Sequence, residues 1–144
     1  MIRLEPIGPD NWRTGLAVAE DQRRFVGDSS GILARAYAYR DLGSQAKLIL
    51  DDDAPVGMLL YYDWPEGGQY IFSHLLIDQR YQRRGFGIRA AQLALGEMRA
   101  DGRYPKVGLC YVEDDEPARL LYEKLGFRPT GLVDGNEIDM ELAL

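Results

Sequence analysis

Four arginines and two glycines cluster near the middle of the chain, where no acid occurs between Gln79 and Gly96. The arginines are Arg80, Arg83, Arg84 and Arg89. The segment follows a predicted strand and opens a predicted helix, whose first N–H groups and positive dipole end attract anions. Gly85 and Gly87 have no Cβ, so phosphate oxygens can approach their backbone, and arginines add charge-assisted hydrogen bonds. The pattern predicts a phosphate-binding loop.

An alternative for this segment is an ordinary solvated loop, whose glycines only ease the turn from strand to helix. A nucleoside-triphosphate loop is excluded because the chain has no Gly-Lys-Ser or Gly-Lys-Thr. The letters from Gly85 to Ala90 match a loose dinucleotide fingerprint, Gly-x-Gly-x-x-Ala. That match is weak, because seven mostly polar residues separate the glycines from the strand, whereas the fingerprint needs them at its end.

The composition narrows the class of protein. The chain has 144 residues, 46% of them apolar, which fits one globular domain over residues 1–144. Its 17 basic and 23 acidic residues give a net charge of −6. An acidic balance argues against nucleic acid as a partner and permits a cationic small molecule. A single cysteine, Cys110, excludes an internal disulfide, and a single histidine, His74, argues against a metal site.

No stretch of the chain predicts a membrane partner or export. The longest apolar runs are far shorter than the ~20 residues that span a bilayer. The first residues have no apolar signal core and include an early acid, Glu5. We therefore expect a cytoplasmic protein.

The periodicity predicts strands and helices that would position the loop. Strands are predicted at Ile2–Glu5, Ala46–Leu50, Val56–Tyr62, Gln69–Ile77 and Lys106–Tyr111, followed by a closing hairpin around residues 134–136. Helices are predicted at Phe86–Arg99 and Glu116–Leu125, and, with interruptions, from about Asn11 to Tyr39. In that first region Asp28 is an N-cap candidate, and an apolar stripe runs from Ile32 to Tyr37. The order predicts a mixed α/β or α+β sheet domain.

Two motifs make the chain similar to a known family. Gln82-x-x-Gly85-x-Gly87, after the strand Leu75-Leu76-Ile77, resembles the acetyl-CoA signature of the GNAT superfamily of N-acetyltransferases. The segment from Ala118 to Phe127, which contains Leu-Tyr-x-x-Leu-Gly-Phe, resembles a second motif of that family. The resemblance implies a mixed, mostly antiparallel sheet of six or seven strands flanked by helices. It also implies that acetyl-CoA, the acetyl donor, binds between splayed central strands.

The resemblance implies particular cofactor contacts. The backbone of Leu75, Leu76 and Ile77 would bind the pantetheine arm. The pyrophosphate would lie against the backbone of Gln82, Arg83, Arg84, Gly85, Phe86, Gly87 and Ile88. Asp115 stands where the family often has an asparagine that contacts the pantetheine. An ionised aspartate accepts hydrogen bonds but donates none, so a plain helix N-cap is the alternative for this residue.

Tyr122 matches the tyrosine that family members place near the thioester sulfur, which implies that it acts as the general acid. Its phenol has a reference pKa similar to that of a thiol, so proton transfer between the two is chemically reasonable. The alternative is a core tyrosine, because Tyr122 also shares an apolar helix stripe with Leu121 and Leu125.

Shorter matches resemble small bacterial spermine/spermidine acetyltransferases. They include Glu20-Asp21-Gln22 followed by Phe25-Val26, and the closing Asp134-Gly135. This resemblance implies a polyamine as the amine substrate. The candidate substrate-binding residues are Glu20, Asp28 and His74. The general base stays open among His74, Glu20, Asp21, Asp28, Asp63 and Glu113, and Cys110 is expected to be a small buried apolar residue.

Other functions remain open at this point. The alternatives to a polyamine as acetyl acceptor are an antibiotic, an amino acid and a protein N-terminus. A protein that binds acyl-CoA as a sensor without catalysis is a further alternative. Family members frequently dimerise, so a homodimer is also expected. The four arginines of residues 80–89 leave 13 basic against 23 acidic residues elsewhere. A basic segment within an otherwise acidic chain suits one anionic cofactor and one cationic substrate.

Overall fold

The structure is a computed structural model that describes residues 1–23 and 28–144. Its seven strands are β1 (Ile2–Pro6), β2 (Gln45–Asp51), β3 (Ala54–Trp64), β4 (Gln69–Ile77), β5 (Lys106–Val112), β6 (Arg128–Asp134) and β7 (Glu137–Ala143). The described helices are α1 (Ser29–Ala38), α2 (Phe86–Asp101) and α3 (Glu116–Leu125). The strands form one sheet in the order β1-β2-β3-β4-β5-β7-β6, in which only β4 and β5 pair in parallel. The predicted mixed, mostly antiparallel sheet is confirmed.

Most of the predicted elements are confirmed, with β4 and α3 at the predicted bounds. The helical prediction from Asn11 onward is wrong for residues 11–19, which form no helix. There Leu16 and Val18 are both buried on the side of the sheet that α1 covers, as alternate residues of an extended chain are. A single 3₁₀ turn follows at Glu20–Gln22. Phe25 and Val26 lie outside the described residues.

Helix α1 begins at the predicted cap. The Asp28 carboxylate accepts a hydrogen bond from the Gly31 N–H at 2.8 Å. Ile32 is fully buried, whereas Tyr37, predicted on the same stripe, is 69% exposed. Five residues of helix rotate a side chain by ~140° away from the starting face, so Tyr37 cannot share the buried side of Ile32. The apolar stripe therefore ends before Tyr37.

Two apolar layers cover the two faces of the sheet. On one face α1 contacts β2 and β3, and Ile32 packs with Leu48, Met58, Leu60 and Leu76. On the other face α2 and α3 lie over a larger core. Its fully buried members include Leu59, Tyr70, Ala90, Ala94, Met98, Val107 and Met140. No described helix is long and apolar enough to cross a membrane.

The two central strands separate soon after they meet. Strand β4 pairs with β5 only from Gln69 to Ile71, opposite residues 106–108, although β4 continues to Ile77 and β5 to Val112. At the end of that ladder a Cβ on Gly108 would lie 2.5 Å from the side-chain Nε2 of Gln69, so a larger residue at 108 would displace the Gln69 side chain. Because the β4–β5 ladder ends after three residues on each strand, the two strands diverge and leave a wedge-shaped gap between them, which we call the wedge.

A bulge in β4 lies where the wedge opens. Phe72 is opposite Tyr61, and His74 is opposite Leu60, so Ser73 is an extra residue in the ladder. One extra residue reverses which face the following side chains occupy. Phe72 and Leu75 accordingly both pack on the α2 side, whereas Leu76 packs on the α1 side.

Ile32→Ala should lower the free energy of unfolding by about 2–4 kcal/mol, because it leaves a cavity where the Ile32 side chain packs α1 against the sheet. Tyr37→Ala on the same helix is the matched control; its exposed ring contacts the Arg40 guanidinium at 4.1 Å, so we predict a loss below about 1 kcal/mol. Urea unfolding followed by circular dichroism measures both. Equal losses in the two variants would contradict this account of how α1 is held.

Candidate active site

A cavity of about 330 Å³ lies in the wedge between β4 and β5. Residues 71–75 of β4 and 109–112 of β5 form two of its walls. Asp115, the residue before α3, and Ala118 and Tyr122 of α3 close one side. Arg35, Tyr62, Glu137 and Asp139 come from three further elements on the other sides. The cavity therefore joins parts of the chain that are far apart in sequence.

The arginine-rich loop leads from β4 into the first turn of α2. Gly85 is the N-cap residue of α2, with a left-handed φ of 78° that suits glycine. The Arg89 N–H bonds the Gly85 carbonyl at 3.3 Å, so the N–H groups of Phe86, Gly87 and Ile88 precede the first intrahelical bond. Gly85 is exposed with its neighbours Arg83 and Arg84. Backbone donors and arginines therefore lie where the sequence predicts them, and their binding of an anion stays a prediction.

The end of β4 lies beside this helix start. A Cβ on Gly87 would be 3.6 Å from Ile77 and 3.8 Å from Leu75, so both side chains face the N-terminus of α2. Leu76 points to the opposite face and is buried in the α1 layer. Of the three predicted pantetheine residues, Leu76 can therefore offer only its backbone to a ligand in the wedge.

Tyr122 combines a packing role with a place in the cavity wall. Its ring meets Phe72 and Phe127 edge to face, with centroids 6.3 and 5.8 Å apart. Burial and, less strongly, the charge of Asp115 raise the pKa of the Tyr122 phenol. The hydroxyl is consequently protonated at neutral pH and can donate a hydrogen bond or a proton. These ring contacts confirm the packing interpretation of this tyrosine, whereas its role as general acid stays a prediction.

Asp115 is the N-cap of α3, as the alternative for this residue predicted. Its Oδ1 accepts a hydrogen bond from the Ala118 N–H at 3.3 Å. The residue also lines the cavity. Its contact with the pantetheine arm stays a prediction.

His74 lines the cavity from the α1 side of the bulge. Its Nδ1 is 2.8 Å from the Ser73 hydroxyl oxygen. Burial lowers the pKa of the imidazole to about 4, and the nearby Arg35 charge adds to this shift. The ring is therefore neutral at physiological pH, and an imidazolium is disfavoured at this place.

The other two predicted substrate residues lie elsewhere. Glu20 and Asp28 are exposed, and the cavity wall includes neither. Asp63, considered as a base, is 7% exposed and binds both terminal nitrogens of Arg103 at 2.7 and 3.0 Å. It is also absent from the cavity wall. These three carboxylates are therefore not brought together with His74.

Sequence reasoning missed the acids that do line the cavity besides Asp115, namely Glu137 and Asp139. They alternate with Ile138 and Met140 along β7, a pattern visible in the sequence. The pairing of Asp139 with Cys110 is what turns this acidic row toward the wedge. Only the register between β5 and β7, which are distant in sequence, shows that these acids face the cavity.

The prediction that Cys110 is buried is wrong, because the residue is exposed. Its neighbour Leu109 packs on the face of β5 that α2 and α3 cover, so alternation places Cys110 on the opposite face, where α1 packs on β2 and β3. Cys110 nevertheless lines the cavity, and partial desolvation there, with smaller effects from Asp139 and Glu137, raises the pKa of the thiol to about 11. A protonated thiol is a poor nucleophile, which argues against an acyl-cysteine mechanism.

Residues 15–127 match the model of the acetyltransferase (GNAT) family. The chain belongs to the GNAT family. No curated protein compared with the chain matches it. The predicted family is confirmed, and with it the class of enzyme, an N-acetyltransferase with acetyl-CoA as the acetyl donor.

Solved GNAT structures share the fold over nearly the whole chain. An acetyltransferase from Thermus thermophilus superposes with a TM-score of 0.78 at 19% identity, covering 100% of this chain and 97% of that one. A spermidine N-acetyltransferase from Vibrio cholerae, in complex with CoA and spermine, gives 0.77 at 15% identity, with 99% and 95% covered. A GNAT enzyme from Elizabethkingia anophelis with acetyl-CoA bound gives 0.72 at 14% identity, with 99% and 98% covered. At these identities the likeness shows the fold.

His74 of this GNAT protein should show no titration between pH 5.5 and 8, because its pKa of about 4 lies below that window. NMR of the imidazole C–H signals measures this directly, and a step near pH 6.5 would contradict the burial argument. The folded state takes up the proton at lower pH than the unfolded state does. His74 therefore contributes its full stability above pH ~6.5 and loses it as the pH falls toward 4.

Proposed function

We propose that this protein transfers the acetyl group of acetyl-CoA directly to a primary amine while both substrates are bound. The main support for the proposal is that β4 and β5 separate to form a wedge and that Tyr122 lies in the wall of the wedge. The N-terminus of α2 and its arginines lie beside the end of β4. This arrangement offers a slot for a long flexible arm and an anion site for its phosphates.

The chain's own residues fit acetyl-CoA at both ends. The first N–H groups of α2, from Phe86 to Ile88, would hold the pyrophosphate together with the preceding loop backbone from Gln82 to Gly85. Open space surrounds the position of a Gly85 Cβ, so this part of the backbone is accessible to a ligand. Beyond the end of its ladder with β5, the β4 backbone at 75–77 would bind the pantetheine arm. Acetyl-CoA supplies the acetyl thioester.

Tyr122 would hold its proton on the phenol oxygen until the thiolate leaves. The raised pKa of the phenol keeps that proton in place at neutral pH. The burial that raises the phenol pKa also disfavours a free thiolate in the same cavity, so a proton donor there is useful. The proposed role is general acid, with the proton passing from the Tyr122 oxygen to the CoA sulfur.

The attacking amine must be neutral, and the surroundings of His74 favour that state. Arg35 and burial disfavour a positive charge on the imidazole, and they would act in the same direction on an amine bound beside it. With a pKa of about 4, His74 is a weak base. We therefore assign it to contact the amine, and we assign proton removal to water in contact with the carboxylates of the cavity wall.

A polyamine is the substrate that these carboxylates favour. Asp115, Glu137 and Asp139 line the cavity, and carboxylates suit ammonium groups at the distal end of a long amine. The Vibrio cholerae neighbour was crystallised with spermine. We propose that the reacting amine lies near His74 and that a second ammonium lies near Glu137 and Asp139.

Arg35 favours a second class of substrate, an amine that also carries a carboxylate, such as an amino acid. The residue is on the cavity wall. Within residues 1–23 and 28–144, no carboxylate lies within the 4.0 Å salt-bridge distance of its guanidinium. A guanidinium in that position could bind a substrate carboxylate through two hydrogen bonds.

A panel of amines separates these substrates when CoA release from acetyl-CoA is measured. Spermidine and spermine should be acetylated with a higher kcat/KM than amino acids, aminoglycosides or a peptide N-terminus. Turnover of an amino acid that Arg35→Gln abolishes, without turnover of spermidine, would replace the polyamine by the second class. Tight binding of acetyl-CoA without turnover of any amine would indicate an acyl-CoA sensor instead.

Tyr122→Phe should lower kcat by ~10²-fold, the scale of lost acid–base assistance, while the KM for acetyl-CoA changes little. Tyr104→Phe is the control, since Tyr104 packs against Tyr70 and is absent from the cavity wall. Steady-state kinetics with the best amine of the panel measure both variants. An unchanged kcat for folded Tyr122→Phe would remove Tyr122 from the acid role.

A further inference from the structure

The side chain of Gln82, the first residue of the acetyl-CoA motif, is turned into the protein. Its Nε2 donates to the Ile77 carbonyl at 3.0 Å and to Oε1 of Gln22 at 2.7 Å. An amide nitrogen has two hydrogens, so both donors of this side chain are used. The remaining Oε1 is an acceptor and cannot bind a phosphate oxygen. The Gln82 side chain therefore holds the loop in place and is not a ligand of the pyrophosphate.

Asp78 ties the same loop to the same distant segment. Its carboxylate, 2% exposed, accepts hydrogen bonds from the Ala17 N–H at 3.0 Å and the Arg80 N–H at 2.9 Å. The Gln79 N–H in turn donates to the Ala17 carbonyl at 2.8 Å. Burial opposes the charge of Asp78, but the hydrogen bonds from Arg80 and Ala17 outweigh it and lower the pKa of the carboxyl. The start of the loop is thus fixed independently of Gln82.

Of these contacts with the N-terminal segment, the one made by Gln22 lies nearer the proposed phosphate-binding end of the loop than those made by Ala17. Asp78 and Gln79 lie at the start of the connection from β4, whereas Gln82 lies three residues before Gly85. Arg83, immediately after Gln82, has a left-handed φ of 65°, which is unfavourable for a residue with a Cβ. A loop with such a backbone needs outside contacts to keep its shape.

We propose that Gln22 is a positioning residue for acetyl-CoA, although it lies in neither motif and is 60 residues away from Gln82 in sequence. Gln22 holds the Gln82 amide, which sets the backbone of residues 82–88 in the geometry that binds the pyrophosphate. A loop held in its binding geometry loses less conformational entropy when the ligand binds. This inference rests on the proposed function only in taking residues 82–88 as the pyrophosphate site.

Gln22→Met tests the proposal, because it removes the acceptor and keeps the length of the side chain. The dissociation constant of CoA, measured by isothermal titration calorimetry, should rise about fivefold, the scale of one lost hydrogen bond. Gln22→Ala should give a similar rise. The KM for acetyl-CoA should increase with kcat at saturation unchanged, since Gln22 does not contact the reacting atoms. A merely destabilising substitution would leave the CoA affinity of the folded protein unchanged.

Asn11→Ala is the matched control. Its side chain also braces the N-terminal segment, by accepting from the Gly8 N–H at 2.7 Å and donating to the Pro6 carbonyl at 3.0 Å. These bonds do not reach the loop, so CoA affinity should stay at the wild-type value. Thermal unfolding of each variant checks that it is folded.

A double-mutant cycle that combines Gln22→Met with Gln82→Met measures how much of the effect of Gln22 on CoA affinity depends on its contact with Gln82. If Gln22 acts through Gln82, the double variant should bind CoA no more weakly than Gln82→Met alone. Wild-type affinity in folded Gln22→Met, or losses that simply add in the double variant, would overturn the proposal. A wild-type chain that does not bind CoA would overturn the proposed function as well. The two failures are therefore distinguishable.

Discussion

The brief pairing of β4 with β5 is the constraint on which the rest of the site depends. The two strands share a ladder over three residues each and then diverge. At the same place the extra residue Ser73 reverses the faces of β4. The divergence makes the cavity, and the reversal decides that His74 lies on the α1 side of the sheet and Leu75 on the α2 side. A regular ladder along both strands would close the space in which Tyr122 now stands.

The two sides of this wedge are built in different ways. The proposed cofactor side is mostly local in sequence, because the end of β4, the loop and the first turn of α2 follow one another within residues 75–88. The proposed amine side takes Arg35 from α1, Tyr62 from β3, His74 from β4 and Asp139 from β7. A local site is positioned by one stretch of chain, whereas the amine side exists only once the sheet has formed. On the proposed assignment, substrate choice would therefore be more sensitive to distant packing than cofactor binding would be.

The proposed cofactor side and the proposed amine side also differ in charge. Residues 79–89, which contain most of the proposed cofactor loop, have four arginines and no acid, and the cavity wall away from them has the acids of β7. Gln22 and Asp78 link the loop to the segment that packs, through Leu16 and Val18, in the same layer as α1. The anionic and the cationic ligand would thus contact parts of the molecule that are mechanically connected. This connection would give the N-terminal segment a role in cofactor binding, whereas its short match at Glu20-Asp21-Gln22 pointed only to the amine substrate.

The sequence alone determined the elements whose signals are local. The cap at Asp28, the glycine before α2 and the bounds of β4 and α3 all follow from short-range geometry, and two motifs sufficed to identify the family. Residues 11–19, Tyr37 and Cys110 were misjudged, because burial depends on which face another element covers. The acids of the cavity were visible as an alternating row, but only tertiary structure turned that row toward the wedge. Alternation fixes which residues share a face, while strand register and the Ser73 bulge decide where that face points.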